Sequence, residues 1–64
     1  MKVYERVREY LDSRGMKHNV IAKNAGIPVK TFSAMMNGRR TMYADDLEAI
    51  CHALGVCATV FIEA

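Results

Sequence analysis

The cysteines and histidines are the side chains of this chain that could supply a nucleophile or a metal ligand, and their spacing favours neither role. Cys51 and Cys57 lie six residues apart, which matches no zinc ligand pair, and a reducing compartment keeps both as thiols. His52 is adjacent to Cys51 and points off the helical face of that residue, so the two do not form a nucleophile–base pair. His18 is expected at the surface. The sequence therefore predicts no catalytic residue, no metal ligand and no cofactor.

Positively and negatively charged residues lie in different parts of the chain. The net charge is +2, but residues 16–40 carry five cations and no carboxylate, whereas residues 41–64 carry four carboxylates and no lysine or arginine. A cationic segment of this kind favours a polyanionic partner, with chance clustering of like charges as the alternative. The cations are Lys17, Lys23, Lys30, Arg39 and Arg40, and the carboxylates are Asp45, Asp46, Glu48 and Glu63.

Length and composition limit the architecture that can present these charges. A chain of 64 residues with 52% hydrophobic and 25% charged residues is typical of one small globular domain, 1–64, and is too short for a barrel or a doubly wound sheet. No apolar run approaches the roughly 18 residues that span a bilayer, so no membrane contact is expected. A secretory signal pattern is not visible either, and the expected location is the cytoplasm.

Apolar residues recur at the helical period and predict four helices, with glycines where they end. Val3, Val7 and Leu11 form the buried stripe of the first helix. Pro28 cannot continue the second helix, and its fixed φ suits the start of the third. The predicted helices cover residues 2–14, 17–25, 29–37 and 44–54.

The last stretch, 56–62, is ambiguous from sequence. Its β-branched residues favour a strand by propensity, but a lone strand has no partner in a helical chain. We therefore expect a short final helix that packs Val60 and Phe61 on the core. The predicted fold is all-α, a compact five-helix bundle.

The spacing within residues 18–37 is that of a tight corner between two helices. Helices that cross steeply need a small side chain at the crossing, which Ala22 supplies. The sharp turn needs a positive φ, which Gly26 adopts without strain. Ile27, Phe32 and Met35 can pack behind the turn and fix its angle. This pattern predicts a helix-turn-helix.

The same residues resemble the Cro and phage-repressor (XRE) helix-turn-helix family. The resemblance rests on three segments in order, IAKNAGI at 21–27, TFSAMMNGRR at 31–40 and LEAICHALGV at 47–56. It implies a five-helix repressor-type fold, sequence-specific binding of double-stranded DNA, and a homodimer on a two-fold operator.

The resemblance also implies which residues face the DNA. Lys30 would reach guanine or only a phosphate, while Val29 and Ala34 replace the long polar residues that many family members carry there. Pro28 stands where a Ser or Thr cap is usual, so the third helix lacks a side-chain N-cap. The expected base-facing residues are Val29, Lys30, Ser33 and Ala34, and the expected phosphate-facing residues are Lys17, His18, Thr31, Asn37, Arg39 and Arg40.

The function predicted from these observations is a repressor-like transcriptional regulator that binds duplex DNA. The alternative is a protein-interaction module, antitoxin-like or a co-regulator, that uses the same fold with DNA binding secondary. Its surface would be the acidic last third of the chain and the apolar tail formed by Val56, Val60, Phe61 and Ile62.

Overall fold

The computed structural model describes residues 2–62, which form four α-helices and one 3₁₀ turn without a strand. The all-α prediction is confirmed, and the ends of the first four predicted helices differ by at most one residue from the observed ones. No helix in the described part of the chain combines the length and the apolar character that crossing a membrane requires. The elements are α1 (Val3–Ser13), α2 (His18–Ala25), α3 (Val29–Met36), α4 (Ala44–Leu54) and the 3₁₀ turn (Ala58–Val60).

The end of the chain corrects one prediction. The short final helix predicted in residues 56–62 is a single 3₁₀ turn of three residues, so the bundle has four α-helices rather than five helices in the described chain. Phe61 is 1% exposed and meets the Tyr10 ring edge-on at 5.2 Å, as expected for a core residue. Val60 is 50% exposed, so the prediction that it packs on the core is wrong. So short a turn presents only one of two adjacent side chains to the core, and the larger apolar surface of Phe61 is the one buried.

The buried side chains form one apolar cluster to which every α-helix contributes. α2 packs against both α3 and α4, and α1 packs against α3, so α3 is held from two sides. The core residues are Val7, Leu11, Ile21, Ala22, Phe32, Met35, Met36, Leu47, Ile50, Cys51 and Phe61.

Carboxylates accept backbone hydrogen bonds at the starts of α1 and α4. Glu5 accepts a hydrogen bond from the backbone N–H of Lys2 at 2.8 Å, and Asp46 accepts one from that of Tyr43 at 3.1 Å. Both carboxylates also lie at the positive end of a helix dipole. Pro28 precedes α3 without a side-chain cap, as expected.

The corner between α2 and α3 has the geometry that the sequence predicts. Gly26 adopts φ +73°, and the next N–H, that of Ile27, donates to the carbonyl of Ala22 at 2.9 Å. Ala22 is fully buried at this corner, which lets the two helices approach closely. The helix-turn-helix prediction is confirmed, and the corner leaves one face of α3 in solvent.

Candidate nucleic-acid interface

α3 presents a continuous polar and small-residue arc to solvent, opposite its buried face. At 100° per residue, Val29, Ser33 and Asn37 lie side by side on this arc, with Lys30 beside them. All four are exposed, and Val29 keeps 52% of its surface accessible although it is apolar. We call Val29, Lys30, Ser33 and Asn37 the α3 arc.

Two predicted site residues lie at the margins of the α3 arc. Ala34 is half-buried on one border, where a small side chain leaves room for a neighbouring surface. Thr31 is half-buried on the far side of α3, next to the face that carries Met35. The structure thus groups most of the predicted α3 residues and sets Thr31 apart from them.

The turn that follows α3 directs two arginines into solvent. Gly38 adopts φ +75° and donates its N–H to the carbonyl of Met35 at 3.2 Å. The backbone N–H groups of Arg39 and Arg40 both donate to the carbonyl of Ala34, at 2.9 and 3.3 Å. Because the backbone is held in this way, both side chains project outward and are exposed. We call residues 38–40 the arginine turn.

α1 holds the end of α3 through contacts that the sequence did not indicate. The Nη1 of Arg8 donates to the carbonyl of Met36 at 3.0 Å, across 28 residues of chain. The Arg8 guanidinium also lies 5.9 Å from the centre of the Tyr4 ring, and the Tyr4 hydroxyl lies beside Gly38 where a Cβ would be. No local pattern reveals a partner so far away along the chain. These contacts fix the arginine turn relative to α1.

The start of α2 brings together groups from three helices. Lys17 is exposed, as expected for a phosphate contact. The Nε2 of His18 lies 3.0 Å from Oδ1 of Asp12 at the end of α1, and its ring meets that of Phe32 edge-on at 6.0 Å. His18 shares its helical face with the buried residues of α2, which explains why it is half-buried. Its contact with a phosphate stays a prediction, and any such contact would compete with Asp12 for Nε2.

The cations of the carboxylate-free segment all lie at the surface. Within residues 2–62 none of them forms an ion pair with a carboxylate, so no described carboxylate neutralises their charge. Arg14 behaves differently, since its guanidinium stacks on the Tyr10 ring at 3.9 Å. The five surface cations are Lys17, Lys23, Lys30, Arg39 and Arg40.

The cysteines and His52 lie outside this surface. Cys51 is 4% exposed, and burial, followed by the nearby Cys57, raises the pKa of its thiol above the usual value. Cys57 and His52 are exposed. Over residues 2–62 no three His, Cys, Asp or Glu side chains are grouped so that they could hold a metal ion.

Comparison with known families agrees with this geometry. The model of the Cro/C1-type helix-turn-helix DNA-binding domain matches residues 6–57, which include all four α-helices except the first residues of α1. No curated protein and no solved structure gives a match. The family match covers most of the chain, including the helix-turn-helix corner, the α3 arc and the arginine turn. The chain therefore belongs to the Cro/C1-type helix-turn-helix DNA-binding domain family.

Proposed function

We propose that this protein is a sequence-specific, repressor-like transcriptional regulator that reads the major groove of duplex DNA with α3. The observation that carries the proposal is the exposed α3 arc, which ends directly at the two unpaired arginines of the arginine turn. An α-helix fits the major groove, where each base pair presents a distinct pattern of donors and acceptors. Cations beside the helix suit the phosphates that border the groove.

The side chains of the α3 arc and of Ala34 at its border define what α3 would recognise. The Lys30 ammonium can donate to O6 and N7 of guanine, and the Ser33 hydroxyl can donate or accept. Val29 and Ala34 offer no hydrogen bond, but their methyl groups suit the C5-methyl group of thymine. We therefore expect a site that combines guanine with thymine-rich positions.

The charged phosphate contacts of the proposal lie before and after α3 in the chain. Lys17 and His18 lie at the start of α2, where the first backbone N–H groups of the helix add positive potential. Contacts of this kind set register and supply salt-dependent affinity without reading sequence. The remaining proposed phosphate contacts are Thr31, Asn37, Arg39 and Arg40.

A homodimer completes the proposal. One eight-residue helix covers only a few base pairs, and helix-turn-helix proteins gain specificity by placing two such helices on half-sites about one DNA turn apart. A two-fold site would then be read by two copies of α3.

Selection of duplexes from a random pool tests the proposal most directly. We expect the selected sequences to share a motif with two-fold symmetry. The variant with Arg39→Ala and Arg40→Ala should then bind every duplex more weakly, and its log–log salt slope should fall by about 1.8, roughly 0.9 for each lost phosphate contact. Lys30→Ala should instead change the preference between duplexes.

Two results would contradict the proposal. A pool that yields no shared motif would remove sequence-specific recognition, and a salt slope unchanged by the arginine substitutions would remove the role of the arginine turn. A shared motif without symmetry would leave DNA recognition intact and contradict only the homodimer.

A protein-interaction module is the second candidate, and exposed apolar residues favour it. Val60 and Ile62 are each 50% exposed near the end of the chain, whereas Phe61 between them is buried and cannot line a docking surface. If this surface binds a protein partner, Val60→Ser with Ile62→Ser should abolish that binding and leave the salt slope for duplex DNA unchanged.

A further inference from the structure

A groove of about 320 Å³ lies between the start of α1 and the arginine turn. Lys2 and Tyr4 line one side, and Arg39, Arg40 and Thr41 line the other. No carboxylate of the described residues lines it. Three cations and two hydroxyl groups around one concave surface attract an anion with several acceptor oxygens.

Tyr4 forms a wall of the groove, so the cations surround a concave site instead of lying on an open surface. A Cβ at Gly38 would lie only 2.5 Å from Oη of Tyr4, so the absence of a side chain at residue 38 leaves the space that the tyrosine hydroxyl occupies. Arg8 lies against the Tyr4 ring and donates to Met36, so the ring is packed between α1 and the end of α3. The Tyr4 hydroxyl therefore borders the groove from a fixed position, where its O–H can donate.

We infer that this groove binds a phosphodiester group of the DNA backbone, with Lys2 and the Tyr4 hydroxyl as contacts from α1. This inference rests on the proposed function and extends the interface to an element that the sequence did not assign to it. Lysine and tyrosine side chains contact phosphate oxygens in protein–DNA complexes and carry no sequence information there. The arginine turn forms the opposite wall of the groove, so a phosphodiester group in the groove would contact residues of both walls.

The test compares two groove variants with a matched surface variant. Lys2→Gln and Tyr4→Phe each remove one proposed contact, and Lys23→Gln removes an exposed lysine on the side of α2 that faces away from the core. Duplex dissociation constants are measured by fluorescence anisotropy over a salt series, with circular dichroism to confirm that each variant is folded.

The salt slope should distinguish the charged contact of Lys2 from the uncharged contact of the Tyr4 hydroxyl. Lys2→Gln should lower the log–log salt slope by about 0.9 on any duplex sequence, and Lys23→Gln should not. Tyr4→Phe should weaken binding roughly two- to tenfold with no change of slope, because the hydroxyl is uncharged. Inorganic phosphate at the same ionic strength should not shift the Gly38 amide resonance as the duplex does.

The outcomes distinguish this inference from the function on which it rests. If Lys2→Gln and Lys23→Gln give the same slope while the arginine variant lowers it, the groove inference is wrong and the proposed function stands. If inorganic phosphate moves the Gly38 resonance as strongly as the duplex does, the groove is a general anion site and the inference is again overturned. If the unaltered protein binds no duplex, both proposals fail.

Discussion

At the scale of single residues, the two cysteines differ more than their sequence context suggests. Cys51 is a core residue of α4, and Cys57 is exposed just before the 3₁₀ turn. Burial raises the pKa of the Cys51 thiol, and the reactive form of a thiol is the thiolate. Burial and the raised pKa therefore both make Cys51 less reactive than Cys57.

We expect alkylation of the native protein at about pH 8 to modify Cys57 first and Cys51 only through unfolding. Mass spectrometry after a timed reaction with iodoacetamide measures the order. In denaturant the two rates should become similar, which serves as the control. Equal rates in the native protein would mean that Cys51 is not buried in solution.

The raised pKa of Cys51 also gives a direction for stability against pH. The folded state holds the thiol proton to a higher pH than the unfolded state does, so between the two pKa values the unfolded chain has bound fewer protons. The free energy of unfolding should therefore fall as pH rises above the ordinary thiol pKa of about 8.5. Urea denaturation over this pH range measures the effect. In Cys51→Ala the free energy of unfolding should fall less as pH rises, because the thiol is absent.

The same scale shows which site residues a sequence can reveal. Lys30, Arg39 and Arg40 were predicted as surface cations because charge and helical period depend only on local sequence. The bond from Arg8 to Met36 was not predicted, because it joins residues 28 positions apart and depends on how α1 packs on α3. The proximity of Asp12 to His18 was missed for the same reason, since it requires the angle between two helices.

At the scale of elements, all four α-helices end in the same way. The glycine after each helix has φ between +65° and +75°, and the N–H of the next residue donates to the carbonyl five residues before it, as in a Schellman motif. After three of the helices that next residue is apolar and half-buried, namely Met16, Ile27 or Val56. After α3 it is the exposed Arg39, and the Tyr4 side chain occupies the space beside the glycine where a Cβ would lie.

This difference predicts unequal costs for equivalent glycine substitutions. Gly55→Ala should destabilise the protein by about 1–2 kcal/mol, because φ +72° is unfavourable for alanine and nothing else obstructs its Cβ. Gly38→Ala has a similar φ of +75° but must also displace Tyr4, so it should cost more. Urea denaturation gives both values.

A double-mutant cycle identifies the source of the additional cost. If the Tyr4 contact is responsible, Gly38→Ala should cost less in a Tyr4→Ala background than in the unaltered protein. An equal cost in both backgrounds would mean that the Tyr4 ring does not lie over Gly38 in solution.

At the scale of the whole molecule, stability depends on few residues. The principal extents are 30 × 23 × 22 Å, and one cluster of buried side chains supplies the core. Small domains have unfolding free energies in the lower part of the usual range of about 5–15 kcal/mol. The loss of one large core side chain is therefore comparable with the entire margin.

A comparison of Phe61 with its neighbour Val60 measures how much stability one core side chain contributes. Phe61→Ala removes a buried aromatic ring and should cost about 3–5 kcal/mol, enough to leave much of the protein unfolded. Val60→Ala removes half-exposed methyl groups and should cost less than about 1 kcal/mol. Thermal denaturation followed by circular dichroism compares the two, and equal losses would contradict the position of the 3₁₀ turn.

Local sequence specifies most of this fold but not the burial of these two neighbours. Four helices and the corner between α2 and α3 were predicted because glycine, proline and the helical period specify them locally. In the last stretch the burial of Phe61 was predicted correctly and that of Val60 was not, because the choice between these neighbours depends on tertiary contacts such as that of Phe61 with the Tyr10 ring.

The carbonyl of Ala34 accepts the backbone N–H groups of both Arg39 and Arg40, so neither amide is available to a ligand. Only the long, rotatable guanidinium groups can follow a DNA strand from this turn. Backbone amides would favour one fixed oxygen position, whereas the guanidinium groups have several rotatable bonds and can adopt different positions without any change in the backbone. Under the proposed function, strand contacts made from this turn would therefore depend on side-chain reach rather than on backbone geometry.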